Sequence, residues 1–290
     1  MGPTRARLDA RRWHFQHGPI DLVLEAFGAD AAAAAAAYER AWRRFATVLD
    51  DLVGELPALR GEVALATDLK GAVARRMVAA CLPYRDVFVT PMAAVAGAVA
   101  EEVLGALVGD GEVTKAYVNN GGDIALHLGA GESFRIGLVA DVDRATRHGH
   151  RIAIDGTFEV THALPVRGVA TSGWRGRSWS LGIADSVTVL AATAAAADAA
   201  ATMIANAVNV DHPAIRRRPA FEVDDNTDLG RMPVTVDVGA LPEDAVAAAL
   251  ASGARRADDL LGRGLVWGAV IVLQSRVRVV GGVAAAARLH

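Results

Sequence analysis

A single cysteine, Cys81, excludes an internal disulfide and a cysteine-rich zinc site. It sits in the apolar run Val78–Leu82, where a free thiol packs as a small hydrophobe, so it reads as core and not as a nucleophile. No charge of either sign dominates. With 22% charged residues and a formal net charge of -3, nothing draws the chain toward nucleic acid or an anionic membrane. Long hydrophobic runs are missing too: Val87–Ala100 and Val187–Ala197 are too short to span a bilayer. The opening Met-Gly-Pro-Thr-Arg-Ala-Arg and the charged Leu8–Arg12 hold neither an apolar export core nor a lipid-attachment cysteine, so the expectation is a cytoplasmic protein.

What is present is a large apolar fraction, 52% of 290 residues, enough for one big domain over 1–290 or two pseudo-repeated halves. Apolar alternation on both sides of a His-Gly-Pro turn (Trp13–His17, Ile20–Ala26) predicts a hairpin. Asp30 is placed to cap a helix over Ala31–Val53, and Thr90-Pro91 to open another over Met92–Val108 that stops at Gly109-Asp110-Gly111. Strands follow at Lys115–Val118, Ile124–Leu128, Phe134–Val139, Arg151–Ile154, Phe158–Thr161, Val166–Ala170 and Ser186–Ala192. A helix is expected over Ala194–Val208. Asp211–Arg231, with Arg216-Arg217-Arg218, reads as a solvated loop, the alternative being an arm that reaches phosphate. Leu241-Pro242-Glu243-Asp244 starts a helix running to Leu261, and Leu265–Leu273 and Arg276–Val280 close the chain as strands. Strands clustered together between long helices favour α+β with antiparallel sheets over a doubly wound parallel sheet.

The most informative stretch is Ala191–Val210. It is almost wholly small and apolar, yet Asp198, Thr202, Asn206 and Asn209 fall within an arc of about 80° if the segment is helical. An exposed helix face would carry Lys, Arg and Glu. A buried lone carboxylate is costly unless something pairs with it. The stripe therefore reads as the lining of a site, with Asp198 and Thr202, four residues apart, offering oxygens to a hard cation such as Mg²⁺ whose shell phosphate completes. The alternative is an Asp favoured by the helix dipole beside a back-bonding Thr.

Two glycine-bearing turns add to this. Asn119-Asn120-Gly121-Gly122-Asp123 lies between two strands, where paired glycines either make a plain hairpin turn or let backbone N–H groups approach an anion. Thr171-Ser172-Gly173 follows a strand and offers two hydroxyls, as an ordinary turn also would. His148-Gly-His150, flanked by Arg144, Arg147 and Arg151, reads as a surface loop and not a zinc site, with Asp141 and Asp143 solvated before it. Glu101 and Glu102 are adjacent on a helix and point apart, so they make no acid/base pair.

In order along the chain, Asn-Asn-Gly-Gly-Asp-Ile (119–124), Ala-Thr-Ser-Gly (170–173), Asp-Ser-Val-Thr-Val (185–189) and Ala-Asp-Ala-Ala-Ala-Thr (197–202) resemble the ApbE superfamily of FAD:protein FMN transferases. Pro-Met-Ala-Ala-Val-Ala-Gly (91–97) and Ile-Ala-Asn (204–206) are similar to a soluble branch of it. The resemblance covers roughly Pro91–Asn209. It implies a duplicated, tunnelling-fold-like α+β architecture and a flavin nucleotide, FAD, whose pyrophosphate meets Mg²⁺. It implies Asp198 and Thr202 as metal ligands. Asn119, Asn120, Gly121, Gly122, Asp123, Thr171, Ser172 and Gly173 would border the nucleotide. A flavin-acceptor protein as partner would follow from transfer chemistry, and a homodimer is compatible with antiparallel sheets that associate edge to edge. The chain departs from the family pattern where a Lys-Gly pair is usual, here Ala96-Gly97, and where a histidine usually follows Thr-Ser-Gly, here Trp174–Ser178. Arg177 is then the candidate for charge stabilisation near phosphate. These departures leave open whether FMN is transferred, FAD is cleaved at its pyrophosphate, the nucleotide is merely carried, or the cleft serves an enzyme of another cofactor pathway.

Overall fold

The computed structural model describes residues 2–28, 30–66, 68–109, 113–138, 156–283 and 287–289. The expected strand Arg151–Ile154 and the segment with Asp141, Asp143, His148 and His150 lie outside the described residues. All strand pairings with a resolved register are antiparallel, and long helices accompany the sheets, which is the expected α+β class. The chain divides into two compact units. Residues 1–133, 161–170 and 191–199 form the first, and residues 134–160, 171–190 and 200–290 the second.

In the first unit, β1 (Thr4–Arg7), β2 (Trp13–His17), β3 (Ile20–Phe27), β4 (Lys115–Asn120) and β5 (Asp123–Leu128) lie side by side in chain order, and the first residues of β8 (Gly168–Ser172) pair next to β5. Strand β3 alternates buried and half-buried residues along its length, the signature of a sheet with one covered face. That face is covered by α1 (Ala31–Leu59) and α3 (Val95–Val108), and α2 (Ala72–Cys81) packs on both of these helices. Helix α1 starts at the expected cap: the Asp30 carboxylate accepts the N–H groups of Ala32 and Ala33 at 2.9 and 2.8 Å. It runs six residues past the expected Val53 and tolerates Pro57 in its last turn.

Helix α3 is preceded by a 3₁₀ turn, Pro91–Ala94, and ends at Gly109, whose φ of +51° suits glycine. The helical stretch Pro91–Val108 is, by length and composition, apolar enough to cross a membrane, but half of it is buried inside the protein. Its Glu101 and Glu102 pair with Arg76 and Arg44. Helix α2, which no expectation covered, buries Val73, Ala74, Met77 and Cys81.

In the second unit, the end of β8, β9 (Ser186–Ala191), β12 (Gly268–Leu273) and β13 (Arg276–Gly281) follow one another. Every residue of β9 and β12 is buried. Helix α5 (Glu243–Gly262) packs on β12 and β13. A smaller sheet has the order β14 (Ala287–Leu289), β7 (Gly156–Thr161), β6 (Ser133–Leu138). The expected loop 211–231 is corrected in part: Ile215–Pro219 is a strand, β10, paired with β11 (Pro233–Val238). Its arginines are occupied, Arg216 with Asp237, Arg217 with the Asn209 side chain and Arg218 with Glu222. They alternate along a two-stranded ribbon, so a charge run that looks like a loop is a strand with partners on its neighbours.

Candidate functional site

Helix α4 (Ala194–Ala207) explains its own composition. A Cβ on Gly97 of α3 would stand 2.3 Å from the Ala194 carbonyl oxygen, so the first turns of α3 and α4 touch backbone to backbone. In the second unit a Cβ on Gly182 would stand 2.0 Å from the Ala205 oxygen. Small residues suit the ends of α4 where other backbone comes this close, and Ala197, Ala199, Ala200 and Ala201 between them are fully buried.

Within the first unit, Asp198 projects from this helix onto the start of α3. Its Oδ2 accepts the Gly97 N–H at 3.0 Å, and the Ala96 N–H also supports it. Glu101 of α3 returns the contact: its Oε1 accepts the Ala195 N–H at 2.7 Å, while its Oε2 meets Arg76 Nε at 2.9 Å. Each helix thus has its positive end capped by a carboxylate from the other. Thr193 adds a local cap, its Oγ1 accepting the Ala196 N–H at 3.2 Å.

The third element is the β4–β5 hairpin. Asn120 and Asp123 are direct cross-strand partners around a two-residue turn, Gly121-Gly122, with φ of +64° and +118°. The Asn119 carbonyl oxygen Oδ1 accepts the Gly122 N–H at 2.8 Å, closing the turn. The glycines are therefore spent first on turn geometry. Asn120, buried, donates from Nδ2 to the Ala96 carbonyl at 3.1 Å and ties the hairpin to α3. Asp123, also buried, lies close enough to Asp198 to act on its charge. Burial first, and then the like charge of Asp123, push the Asp198 carboxyl well above the ordinary carboxylate value, against the two backbone N–H groups that favour its ionised form.

The like charge of Asp123 is a cost that capping α3 does not remove, and a divalent cation at Asp198 would relieve it. Among the described residues no group of three or more His, Cys, Asp or Glu side chains could hold a metal ion. A cation at Asp198 would have two carboxylates at most, the pattern of Mg²⁺, which completes its shell with water and phosphate oxygens. Thr202 stands one helical turn beyond Asp198 on α4. Cys81 is fully buried, and burial together with Asp198 raises its thiol pKa, so it stays protonated as core.

The rest of the polar stripe serves a different purpose. In the second unit, Asn206 Oδ1 accepts the Leu181 N–H at 3.0 Å and the Ser180 hydroxyl at 3.3 Å. Asn209, beyond the end of α4, donates to the Leu181 carbonyl at 3.4 Å. Both stitch the 180–182 turn to the helix end. Thr171 shares a 2.9 Å hydroxyl–hydroxyl bond with Thr188, Ser172 ends β8, and a Cβ on Gly173 would stand 2.5 Å from the Asp185 carbonyl. Arg177 is exposed. Asp185, part of the matched motif but given no role from sequence, is a hub: it accepts Trp174 Nε1 at 3.2 Å, Arg175 Nε at 3.1 Å and the Gln274 N–H at 2.5 Å. The sequence also gave no role to Gly97 or Glu101. Gly97 was visible only as the second half of a departing Lys-Gly pair, and Glu101 had no local signal at all.

The antiparallel sheets with their accompanying helices make this an α+β protein. A family model described as AbpE bacteria matches residues 5–279, and the chain belongs to that family. It is 37% identical over 185 residues to a UPF0280 protein of Methanopyrus kandleri, a match covering 62% of this chain and 69% of the relative. It is 34% identical over 144 residues to a UPF0280 protein of Methanococcoides burtonii (49% and 55% covered), and 41% identical over 128 residues to one of Methanothermobacter thermautotrophicus (43% and 45%). The chain spans about half the length of these last two relatives. It is also similar to the crystal structure of the ApbE protein of Thermotoga maritima, with 14% identity, a TM-score of 0.44, and 94% and 97% of the two chains covered. Membership of the family supports a flavin-related function in general.

Proposed function

We propose that the protein binds a flavin nucleotide, FAD, in a Mg²⁺-dependent manner, with Asp198 as the principal metal ligand. The observation that carries this reading is the buried Asp198 carboxylate, held at the backbone contact of α3 and α4, with Asp123 of the neighbouring hairpin near enough for its charge to act on it. Bound Mg²⁺ supplies charge neutralisation for a pyrophosphate. The chain's own residues do the placing. Gly97 and Ala96 hold one side of the Asp198 carboxylate through their N–H groups, which orients it. Asn120 fixes the hairpin that carries Asp123 against the same turn of α3. Thr202 is the neutral oxygen assigned beside Asp198. The glycine turn, Thr171, Ser172, Gly173 and Arg177 are assigned to the nucleotide on the strength of the family resemblance.

A carrier of intact FAD is favoured over a transferase by two positions. Ala96 stands where the family usually has lysine. Arg177 occupies the segment where it usually has histidine, and a guanidinium stabilises charge without exchanging a proton at neutral pH. Incubating the protein with FAD and Mg²⁺, then separating the flavins by chromatography, distinguishes the two. A carrier returns FAD unchanged. Release of FMN, or its attachment to an added acceptor protein, shows an enzyme. FAD fluorescence polarisation that does not change with protein in either Mg²⁺ or EDTA contradicts flavin binding altogether.

A further inference from the structure

We infer that Glu101, anchored by Arg76, is the positioning residue of the cation site, a role that rests on the reading of Asp198 as metal ligand. Three elements meet there: α4 brings Asp198, the β4–β5 hairpin brings Asp123, and α3 lies between them. The hairpin is tied to α3 by Asn120 and the Ala96 carbonyl. Two carboxylates fix α4 to α3. One is Asp198 itself, which accepts the Gly97 and Ala96 N–H groups and is also the residue assigned to the cation. The other is Glu101, whose Oε1 accepts the Ala195 N–H at 2.7 Å without being a ligand. Ala195 is three residues before Asp198, so this bond sets the start of the helical turn from which Asp198 projects. Arg76 holds the opposite oxygen of the same carboxylate at 2.9 Å and pairs with Glu102 at 2.9 Å, so Glu101 is braced from α2. Glu101 touches no reacting group. It determines where Asp198 stands relative to Asp123.

The test is a Mn²⁺ titration of the full chain, with free Mn²⁺ followed by its EPR signal and Mn²⁺ standing in for Mg²⁺ at an oxygen site. Outer partners of metal ligands typically cost 10–100-fold in affinity when removed, so Glu101→Ala is expected to weaken Mn²⁺ binding by at least ~10-fold. Glu101→Gln keeps an oxygen for the Ala195 N–H and should stay within about threefold of wild type, a rescue by the conservative variant. Thr193→Ala removes the other cap of α4 and controls for helix fraying; it should also stay within about threefold. If Glu101→Ala does not fold, judged by circular dichroism, Glu101→Asp keeps the charge but withdraws the oxygen by a methylene, and is read in its place. Wild-type affinity in Glu101→Ala, with binding abolished in Asp198→Ala, overturns the positioning role alone. Equal losses in Glu101→Ala and Thr193→Ala overturn it in favour of fraying. A wild-type chain that binds no Mn²⁺ removes both this role and the metal reading beneath it.

Discussion

Replacing Gly97 by alanine puts two opposed effects on one methyl group. Helix propensity alone makes Gly→Ala favourable by up to about 1 kcal/mol, the helix-interior value, at this first-turn position of α3. Packing says the reverse. The new Cβ would meet the Ala194 carbonyl oxygen at 2.3 Å, its carbon at 2.5 Å and the Ala195 nitrogen at 2.7 Å, all backbone atoms that cannot swing aside. Restoring van der Waals contact requires the helices to part by about 1 Å. That movement would stretch the Asp198–Gly97 bond from 3.0 Å and the Glu101–Ala195 bond from 2.7 Å to lengths at which a hydrogen bond is largely lost. Hydrogen bonds to charged groups contribute about 1.5–3 kcal/mol each, and overpacking costs a further 1–3 kcal/mol. Partial relaxation will recover some of this, and the expected net loss is about 3–5 kcal/mol. Urea unfolding followed by circular dichroism measures it. Gly105→Ala is the internal control: it lies on the same helix, is exposed, and its Cβ would meet nothing within 4 Å, so it should stabilise by up to ~1 kcal/mol. If both variants shift stability in the same direction, the close-contact argument is wrong.

Asp123→Asn should raise the stability of the protein in EDTA by about 1 kcal/mol by removing a like charge from Asp198, and should abolish any stabilisation by added Mg²⁺; thermal unfolding in the two buffers reads both. Asn206→Ala should cost about 1–3 kcal/mol in urea unfolding, because the half-buried end of α4 loses the acceptor for Leu181 and Ser180, while Mn²⁺ affinity stays unchanged. Burial raises the Glu102 carboxyl pKa, but its bonds to Arg44 and Arg76 outweigh this and hold it below the ordinary value. Its contribution is therefore present above the unfolded glutamate pKa and is lost as pH falls through the lower folded one. The destabilisation by Glu102→Gln should be larger at pH 7 than at pH 3, and an equal penalty at both would contradict the pairing.

Local signals carried much of the fold. Asp30 caps α1 because its carboxylate reaches two free N–H groups, and that arrangement is written within three residues. Gly109, Gly121 and Gly122 sit where φ is positive, so helix and hairpin ends fell close to where the sequence put them. Helix α2 was missed because its cap, Gly71, offers no side-chain acceptor and Arg75 and Arg76, which lie off the buried stripe, break up the apolar run along the sequence. Strand β10 was missed because Arg216 and Arg217 find their partners outside the segment or across the ribbon, on Asn209 and on β11, while only Arg218 meets a neighbour in sequence, Glu222. At the site, periodicity located the face of α4 that carries Asp198 but not what the face meets. Asp198 and Thr202 share that face with Asn206, yet Asn206 holds a turn and Asp198 meets α3 and Asp123. The Gly97–Ala194 and Glu101–Ala195 contacts join positions more than ninety residues apart, and a single sequence carries no signal of such pairings.

The proposed Mg²⁺ site at Asp198, with Asp123 beside it, is decided by calorimetric titration of FAD into the wild-type chain and into Asp198→Ala, each with Mg²⁺ and with EDTA. Saturable binding is expected only for wild type with Mg²⁺. Binding that is equal in Asp198→Ala, or indifferent to EDTA, or absent in all four titrations, contradicts it.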